Sequence, residues 1–286
     1  MLFCKYSLVR DVCEGIHAMK KSPLFFLAIM FLVIDTAQGS FISMETTMSS
    51  SFQDDKVTVK VKVKNNGDES ACNVQVSIEV EGKVVVTPIR KNLRINTTHS
   101  VEADFAMDTK DAGRYPCVVT VDYTDQEEYP FSAISCSCFD YKETVSPKIY
   151  GEMDGIDLSD RNKLVLIVKN FHETEKEVQI KVLVPRELSV PEPSRNILLE
   201  AKSEEETDFM IKNFSAFPGS TYYVFVVMEY NDNNRHAAVA IPCAVNIVEE
   251  TDFFKEYRWV LIVIGAMLFL VFMVLQFGVR RTVDKK

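Results

Sequence analysis

Between residues 56 and 64 the chain reads KVTVKVKVK, valine alternating with lysine or threonine without a break. Successive side chains of an extended strand point to opposite faces, so this period of two predicts a strand with one buried and one wet face. Asn65-Asn66-Gly67-Asp68 follows. Asn and Gly tolerate the positive φ of tight reversals, which predicts a turn. Val74, Val76, Ile78 and Val80 resume the alternation, Glu81-Gly82 supplies another turn, and the chain returns over 84–86. Further strands are predicted at 117–123 and 132–138. Short alternating strands with turns at this spacing predict a mainly β fold of sandwich type, not an α/β core.

The same pattern then recurs. Val63-Lys64-Asn65 returns as Val168-Lys169-Asn170, and Asn73-Val74-Gln75-Val76 as Glu177-Val178-Gln179-Ile180. Asn92-Leu93, Asp104-Phe105 and Asp122-Tyr123 find counterparts in Asn196-Ile197, Asp208-Phe209 and Glu229-Tyr230, and Cys136 falls on Cys243. The order is kept and the offset drifts only from 104 to 107 residues. That predicts a tandem duplication, with sandwich domains at 53–144 and 148–250. The Ser/Thr-rich stretch 40–52 reads as a flexible lead-in.

Two apolar runs lie outside this pattern. Residues 259–279, WVLIVIGAMLFLVFMVLQFGV, hold no charge and at about 1.5 Å per residue are long enough to cross a hydrocarbon core of roughly 30 Å. Arg280, Arg281, Lys285 and Lys286 follow against one Asp284. Positive residues stay on the cytoplasmic side, so 280–286 is expected inside as a short tail and the sandwiches outside. Near the other end, Lys20 and Lys21 precede the apolar run 24–34, and Ala37-Gln38-Gly39 has the small residues a signal peptidase reads. Residues 1–39 are therefore expected to be a secretory signal peptide, with Met19 as an alternative start. The expected location is the plasma membrane or cell envelope, single-pass, with the lipid bilayer contacted through the C-terminal helix.

The chain carries 32 Lys/Arg against 41 Asp/Glu, and setting aside 1–39 and 280–286 leaves the middle acidic by about 13 charges. Such a surface repels phosphate backbones, and no basic stripe with interleaved aromatics offsets it, so no nucleic-acid partner is expected.

Candidate chemistry is sparse. Cys72, Cys117, Cys136 and Cys138 fall at inward-facing apolar positions, and an extracytoplasmic compartment permits disulfides among them. Four cysteines allow three pairings; the alternative is that they are small buried hydrophobes. Asp154, Asp157 and Asp160 cluster near the expected domain junction, where oxygen-rich hinges can hold calcium, although the spacing is not that of an EF-hand. Asn96-Thr97-Thr98 and Asn213-Phe214-Ser215 fit the N-glycosylation acceptor pattern. His99, His172 and His236 are solitary and expected in solvated loops, and Glu204-Glu205-Glu206 in a solvated edge. No nucleophile and base recur at a recognisable spacing, so no enzyme and no cofactor is expected.

The run VKVKVKNNGDESACNVQVSIEVEGK resembles the opening of CARDB-type (cell-adhesion-related) and archaeal S-layer-associated modules, in which a Val-rich strand meets an Asn-Gly turn and then an alternating strand. The resemblance covers about the first third of each repeat. It implies an immunoglobulin-like sandwich of about seven strands, commonly in tandem on envelope proteins. The second repeat departs from it where Phe171-His172-Glu173 replaces Asn66-Gly67-Asp68. Such modules share no catalytic residue, so none is carried over. The expected function is a membrane-anchored, non-catalytic envelope protein presenting two immunoglobulin-like domains to an envelope protein or glycan, for interaction or adhesion. The alternative is an accessory subunit of a membrane translocation, transport or glycosyl-transfer complex.

Overall fold

The computed structural model describes residues 41–53, 56–108, 111–249 and 257–283, with side chains of the terminal helix given up to Phe272 except at Leu270. The expected signal peptide, 1–39, lies outside the described residues, as do the side chains of 273–286.

Seventeen strands precede one helix among the described residues. In chain order the first half holds β1 (Met44–Gln53), β2 (Lys56–Asn65), β3 (Ala71–Val80), β4 (Lys83–Val86), β5 (Arg90–Leu93), β6 (Thr98–Ala106), β7 (Gly113–Thr124) and β8 (Pro130–Tyr141). The second half holds β9 (Ile149–Glu152), β10 (Ile156–Leu158), β11 (Arg161–Asn170), β12 (Lys176–Leu183), β13 (Leu188–Ser189), β14 (Ser194–Leu199), β15 (Glu204–Asn213), β16 (Thr221–Asp232) and β17 (Arg235–Ile247), with α1 at Arg258–Val283.

Alternation becomes burial as the pleat requires. Val57, Val59, Val61 and Val63 of β2 and Val74, Val76, Ile78 and Val80 of β3 all face the first core and are at most 1 % exposed. The sheet β1-β2-β6 covers one side of that core, and β3, β4, β5, β7 and β8 the other. In the second half the sheet β13-β15-β11-β9 packs over β14-β12-β16-β17, enclosing Leu164, Leu166, Ile180, Phe209, Ile211 and Met228. Turn chemistry fixes the hairpins. Glu81 (φ 49) and Gly82 (φ 72) join β3 to β4, and Asn233 (φ 51) and Asn234 (φ 60) join β16 to β17, both two-residue turns with positive φ throughout.

One repeated device is buried. Asn65 and Asn170, ending the equivalent strands β2 and β11, are 0 % and 2 % exposed. The Asn65 amide donates to Glu69 O and Leu93 O and accepts from Gly67 N. The Asn170 amide donates to Thr174 O, Leu199 O and Glu200 O and accepts from His172 N. Each stitches its own turn to the chain passing over the sandwich end. The second repeat therefore keeps the turn without Gly67's counterpart.

One expectation is corrected. The lead-in 40–52 is no tether: β1 pairs with β2 over ten residues, from Met44↔Asn65 to Gln53↔Lys56. Met44, Thr46 and Met48 are half-buried on its inner side, a period of two that the serines and threonines obscured. The two halves also share a sheet. One ten-stranded sheet runs β14-β12-β16-β17-β7-β3-β4 through both, crossing at the parallel bridge His236↔Gly113. A Cβ on Gly113 (φ +155) would sit 2.1 Å from His236 O, so only glycine allows that approach.

Among the described residues no helix is long and apolar enough to cross a membrane. The α1 backbone spans 26 residues, and its described side chains stop short of the roughly 20 apolar residues a span needs. Every one of those described is exposed.

Candidate interaction site

The bridge at Gly113 is one end of an extended joint. His236, expected in a solvated loop, instead lies at the start of β17 and stacks on Tyr115 with ring centroids 4.3 Å apart and planes 6° apart. Its Nδ1 contacts Arg114 O at 2.8 Å and its Nε2 lies 3.3 Å from Glu229. Burial alone would lower the imidazole pKa, but the Glu229 carboxylate and the Arg114 carbonyl outweigh it and hold it above the ordinary value. At the other end Glu187 is fully buried. Its carboxylate accepts from Ser132 N (2.6 Å) and Ser132 Oγ (2.9 Å), while Ser132 Oγ accepts from Arg186 N (2.8 Å). Burial pushes the Glu187 carboxyl upward, partly offset by these hydrogen bonds. Arg186–Asp122 and Lys181–Glu79, both at 3.7 Å, span the joint nearer solvent. Tyr129 and Phe131 of the first half also meet Phe217 of the second.

A groove of about 280 Å³ opens along this joint, lined by Glu79, Glu81, Tyr115, Gln179, Lys181 and Glu229 among others. Three carboxylates against one ammonium make it acidic. Gly82 of the β3–β4 hairpin forms part of its wall, so β4 lies at its rim. β4 pairs with β3 on one side and, among the described residues, with no strand on the other. Val84 and Val86 are each 55 % exposed and Ile89 beyond them 57 %. An unpaired edge presents a row of backbone donors and acceptors, and natural edges are usually kept short or guarded by proline. β4 has four residues and Pro88 follows, leaving room for one short added strand.

The anticipated site residues are dispersed. All five described cysteines are free thiols in this structure, and the register keeps those of the first sandwich apart. Cys117 lies opposite Ser137, which turns it to the face away from Cys136 and Cys138. Cys72 lies opposite Thr124 while Cys117 lies opposite Val80; eight residues of strand separate the two, roughly 27 Å, against the 7 Å a disulfide tolerates. Cys136 and Cys138 share a face of one strand with parallel Cβ directions. Burial pushes the Cys117 thiol up to about 12, with the neighbouring Cys138 adding to it, as an inert core thiol should be.

Asp154, Asp157 and Asp160 do not converge. Asp157 Oδ1 accepts from Asn246 Nδ2 (3.1 Å), and the backbone carbonyls of Asp154 and Asp160 serve Cys243 and Asn213. Among the described residues no group of three or more His, Cys, Asp and Glu side chains gathers as a metal site would require. Asn96 is exposed at a turn (φ 56). Asn213 is not free: its Nδ2 donates to Ser159 O and Ala216 O, and its Oδ1 accepts from Ala216 N. His172 is buried, not solvated, and Glu204-Glu205-Glu206 lies exposed on β15. The joint is not legible in the sequence: His236 carries no periodic signal, and Glu187 belongs to no recognisable motif.

Residues 38–127 match the CARDB family, less than half of the chain and most of the first sandwich. No curated protein matches. Among solved structures, a Salmonella alpha-2-macroglobulin variant is similar at 10% identity and a TM-score of 0.32, over 72% of this chain and 16% of that one. E. coli alpha-2-macroglobulin in its native conformation gives 8% and 0.29, over 72% and 17%. The E. coli chaperone DraB gives 13% and 0.26, over 35% and 54%. The chain thus spans under a fifth of the macroglobulins' length.

Proposed function

With a CARDB-type immunoglobulin-like module at residues 38–127 as the premise, we propose that this chain is a single-pass, membrane-anchored envelope protein that presents two fused β-sandwiches for protein interaction. The observation that carries the binding role is the unpaired β4 edge, with Val84, Val86 and Ile89 exposed beside an acidic groove. The partner this suits is an extended segment bearing Lys or Arg. Its backbone adds to β4, its apolar side chains cover the valines, and its cations meet Glu79, Glu81 and Glu229. The interaction is non-catalytic: it positions a partner instead of transforming one. A glycan is disfavoured by aliphatic side chains where sugars need polar ones.

Two observations support the anchor. Residues 259–279 are uncharged, and the described side chains of α1 are exposed on every face, Trp259 at 69 % and Leu268 at 66 %. An apolar helix without a protein partner is stable only where its surroundings are apolar too. Protease added to intact cells should then remove the sandwiches and leave a short membrane-bound remnant.

The test of the binding role is a photo-crosslinking amino acid at Val84, compared with one at Thr47, which is exposed on the polar outer side of β1. Adducts at Val84 that disappear with Val86→Asp support the reading. Equal adducts at both positions, or none at Val84, refute it. The accessory-subunit reading draws on the joint, since a continuous sheet makes a rigid platform suited to a fixed geometry. It requires stoichiometric co-purification with multi-pass proteins in mild detergent.

A further inference from the structure

Among the described residues, the β15–β16 connection carries the most exposed large apolar side chain of the second sandwich. Phe214 is 79 % exposed and Phe217 48 %, and Pro218 lies between them and Gly219, whose φ of +85° turns the chain back. Val248, 40 % exposed, completes a shallow apolar rim with them around a cleft of about 390 Å³. The loop does not stand alone. Gly219 N donates to Ile247 O and Ile247 N to Ser220 O, so it is fastened to the end of β17. Val248 N donates to Leu158 O, which holds the departing chain at the same tip.

What covers this rim follows from where the chain goes next. Nine residues, 249–257, separate Val248 from the start of α1, a reach of at most about 30 Å even fully extended. A folded body of about 200 residues is roughly 40 Å across. The end from which the chain leaves must therefore be the end nearest the membrane, and Phe214, Phe217 and Val248 are exposed apolar residues, among those described, at that end.

We infer that this tip is a second membrane contact: Phe214, beside the exposed edge of Phe217 whose other side packs on Tyr129 and Phe131, enters the interfacial layer of the same bilayer that α1 crosses, fixing the tilt of the sandwiches over it. The inference rests on the membrane-anchor reading of α1. Aromatic side chains favour the headgroup level, and shallow apolar insertions reach about 5–10 Å into the headgroup and acyl boundary. Glu249, Glu250 and Asp252 follow directly in sequence, so the partner is a zwitterionic surface, and anionic lipid should weaken the contact. The locked amide of Asn213 belongs to the same design, since a glycan at that sequon would stand where the loop meets lipid.

The experiment uses the full chain reconstituted into zwitterionic vesicles with or without brominated acyl chains, which quench nearby tryptophan. The chain has one tryptophan, Trp259, so the native protein reports α1 alone and Phe214→Trp in a Trp259→Phe background reports the loop alone. Quenching and a blue shift at both positions are expected, with loop quenching falling when anionic lipid is added. Quenching at Trp259 but not at the loop position overturns this inference and leaves the anchor standing. Quenching at neither overturns both. A loop emission that shifts blue with protein density, equally in brominated and plain vesicles, assigns the rim to a second copy and overturns the inference as well.

Discussion

Ser132→Ala tests whether the two sandwiches are locked by the buried Glu187 carboxylate. The substitution removes the hydroxyl that donates to Glu187 Oε2 and accepts from Arg186 N. Ser132 N still reaches the other carboxylate oxygen. One carboxylate lone pair and one backbone N–H lose their partners, at about 1–3 kcal/mol each when buried, so the cost at neutral pH is about 3 kcal/mol. Its pH dependence is the sharper signature. Burial already raises the Glu187 pKa in the folded state, and removing a donor to the charged form raises it further. A group with a raised folded pKa contributes fully below its unfolded value, about 4.3, and loses that contribution as pH rises through the folded value. The deficit of the variant should therefore be smallest near pH 4, where the orphaned Arg186 N alone remains, and grow on the way to neutrality by no more than about 1.4 kcal/mol per pH unit. Urea unfolding of the full chain in mild detergent, followed by circular dichroism in half-unit pH steps, measures both quantities. A cost below about 0.5 kcal/mol at neutral pH, the size of an ordinary surface substitution, or a cost independent of pH, would refute the lock.

Four further outcomes are expected. Gly113→Ala must part β7 from β17, because its Cβ would meet His236 O at 2.1 Å. A loss above about 2 kcal/mol in the same assay is expected, whereas Gly82→Ala, with nothing within 4 Å of the added Cβ, should act only through its turn. Glu229→Gln removes the main group raising His236. Titrating the imidazole by NMR should show its pKa falling, along with the stability that protonated His236 supplies below its ordinary pKa and loses as pH rises through the raised value. Asn65→Ala and Asn170→Ala each orphan buried carbonyls and a backbone N–H, at a cost of about 2–4 kcal/mol; a loss at only one of them would contradict their equivalence. In a glycosylating host Asn96→Gln should remove a mass shift on a gel, while Asn213→Gln should remove none.

Much of the fold was legible because a strand with one buried face writes its period directly into the sequence. The valines of β2 and β3, the Glu81-Gly82 turn and the recurrence of Val-Lys-Asn needed no tertiary information. β5 and β6 were harder to read. Arg90-Lys91-Asn92-Leu93 is a sheet edge with three exposed residues, and the buried positions of β6 are confined to Ala103 and Phe105. β1 was missed for a related reason. Its inner face is only half-buried, so methionine and threonine suffice there and the serines dominate the eye. The cysteines misled in the opposite direction. Of the four, Cys117 alone joins the first core; register, which single-residue patterns do not encode, puts Cys136 and Cys138 on the other face of the sheet.

The joint was illegible in principle, and this bears on where function lies. Gly113 and His236 are more than a hundred residues apart, as are Arg114 and Glu229, and none takes part in a local period. The pairing of Ser132 with Glu187 likewise depends on one sandwich being seated on the other. The acidic groove exists only because of that seating: Glu79, Glu81 and Tyr115 come from the first half, and Gln179, Lys181 and Glu229 from the second. The two halves are each sandwiches, but the candidate site belongs to neither alone. Substitutions that loosen the joint should therefore weaken partner capture at Val84 without touching β4. Val86→Asp, by contrast, should abolish capture and leave the unfolding of the joint unchanged. If joint variants such as Ser132→Ala keep full crosslinking at Val84 while losing stability, the edge strand acts by itself and the groove contributes nothing to recognition.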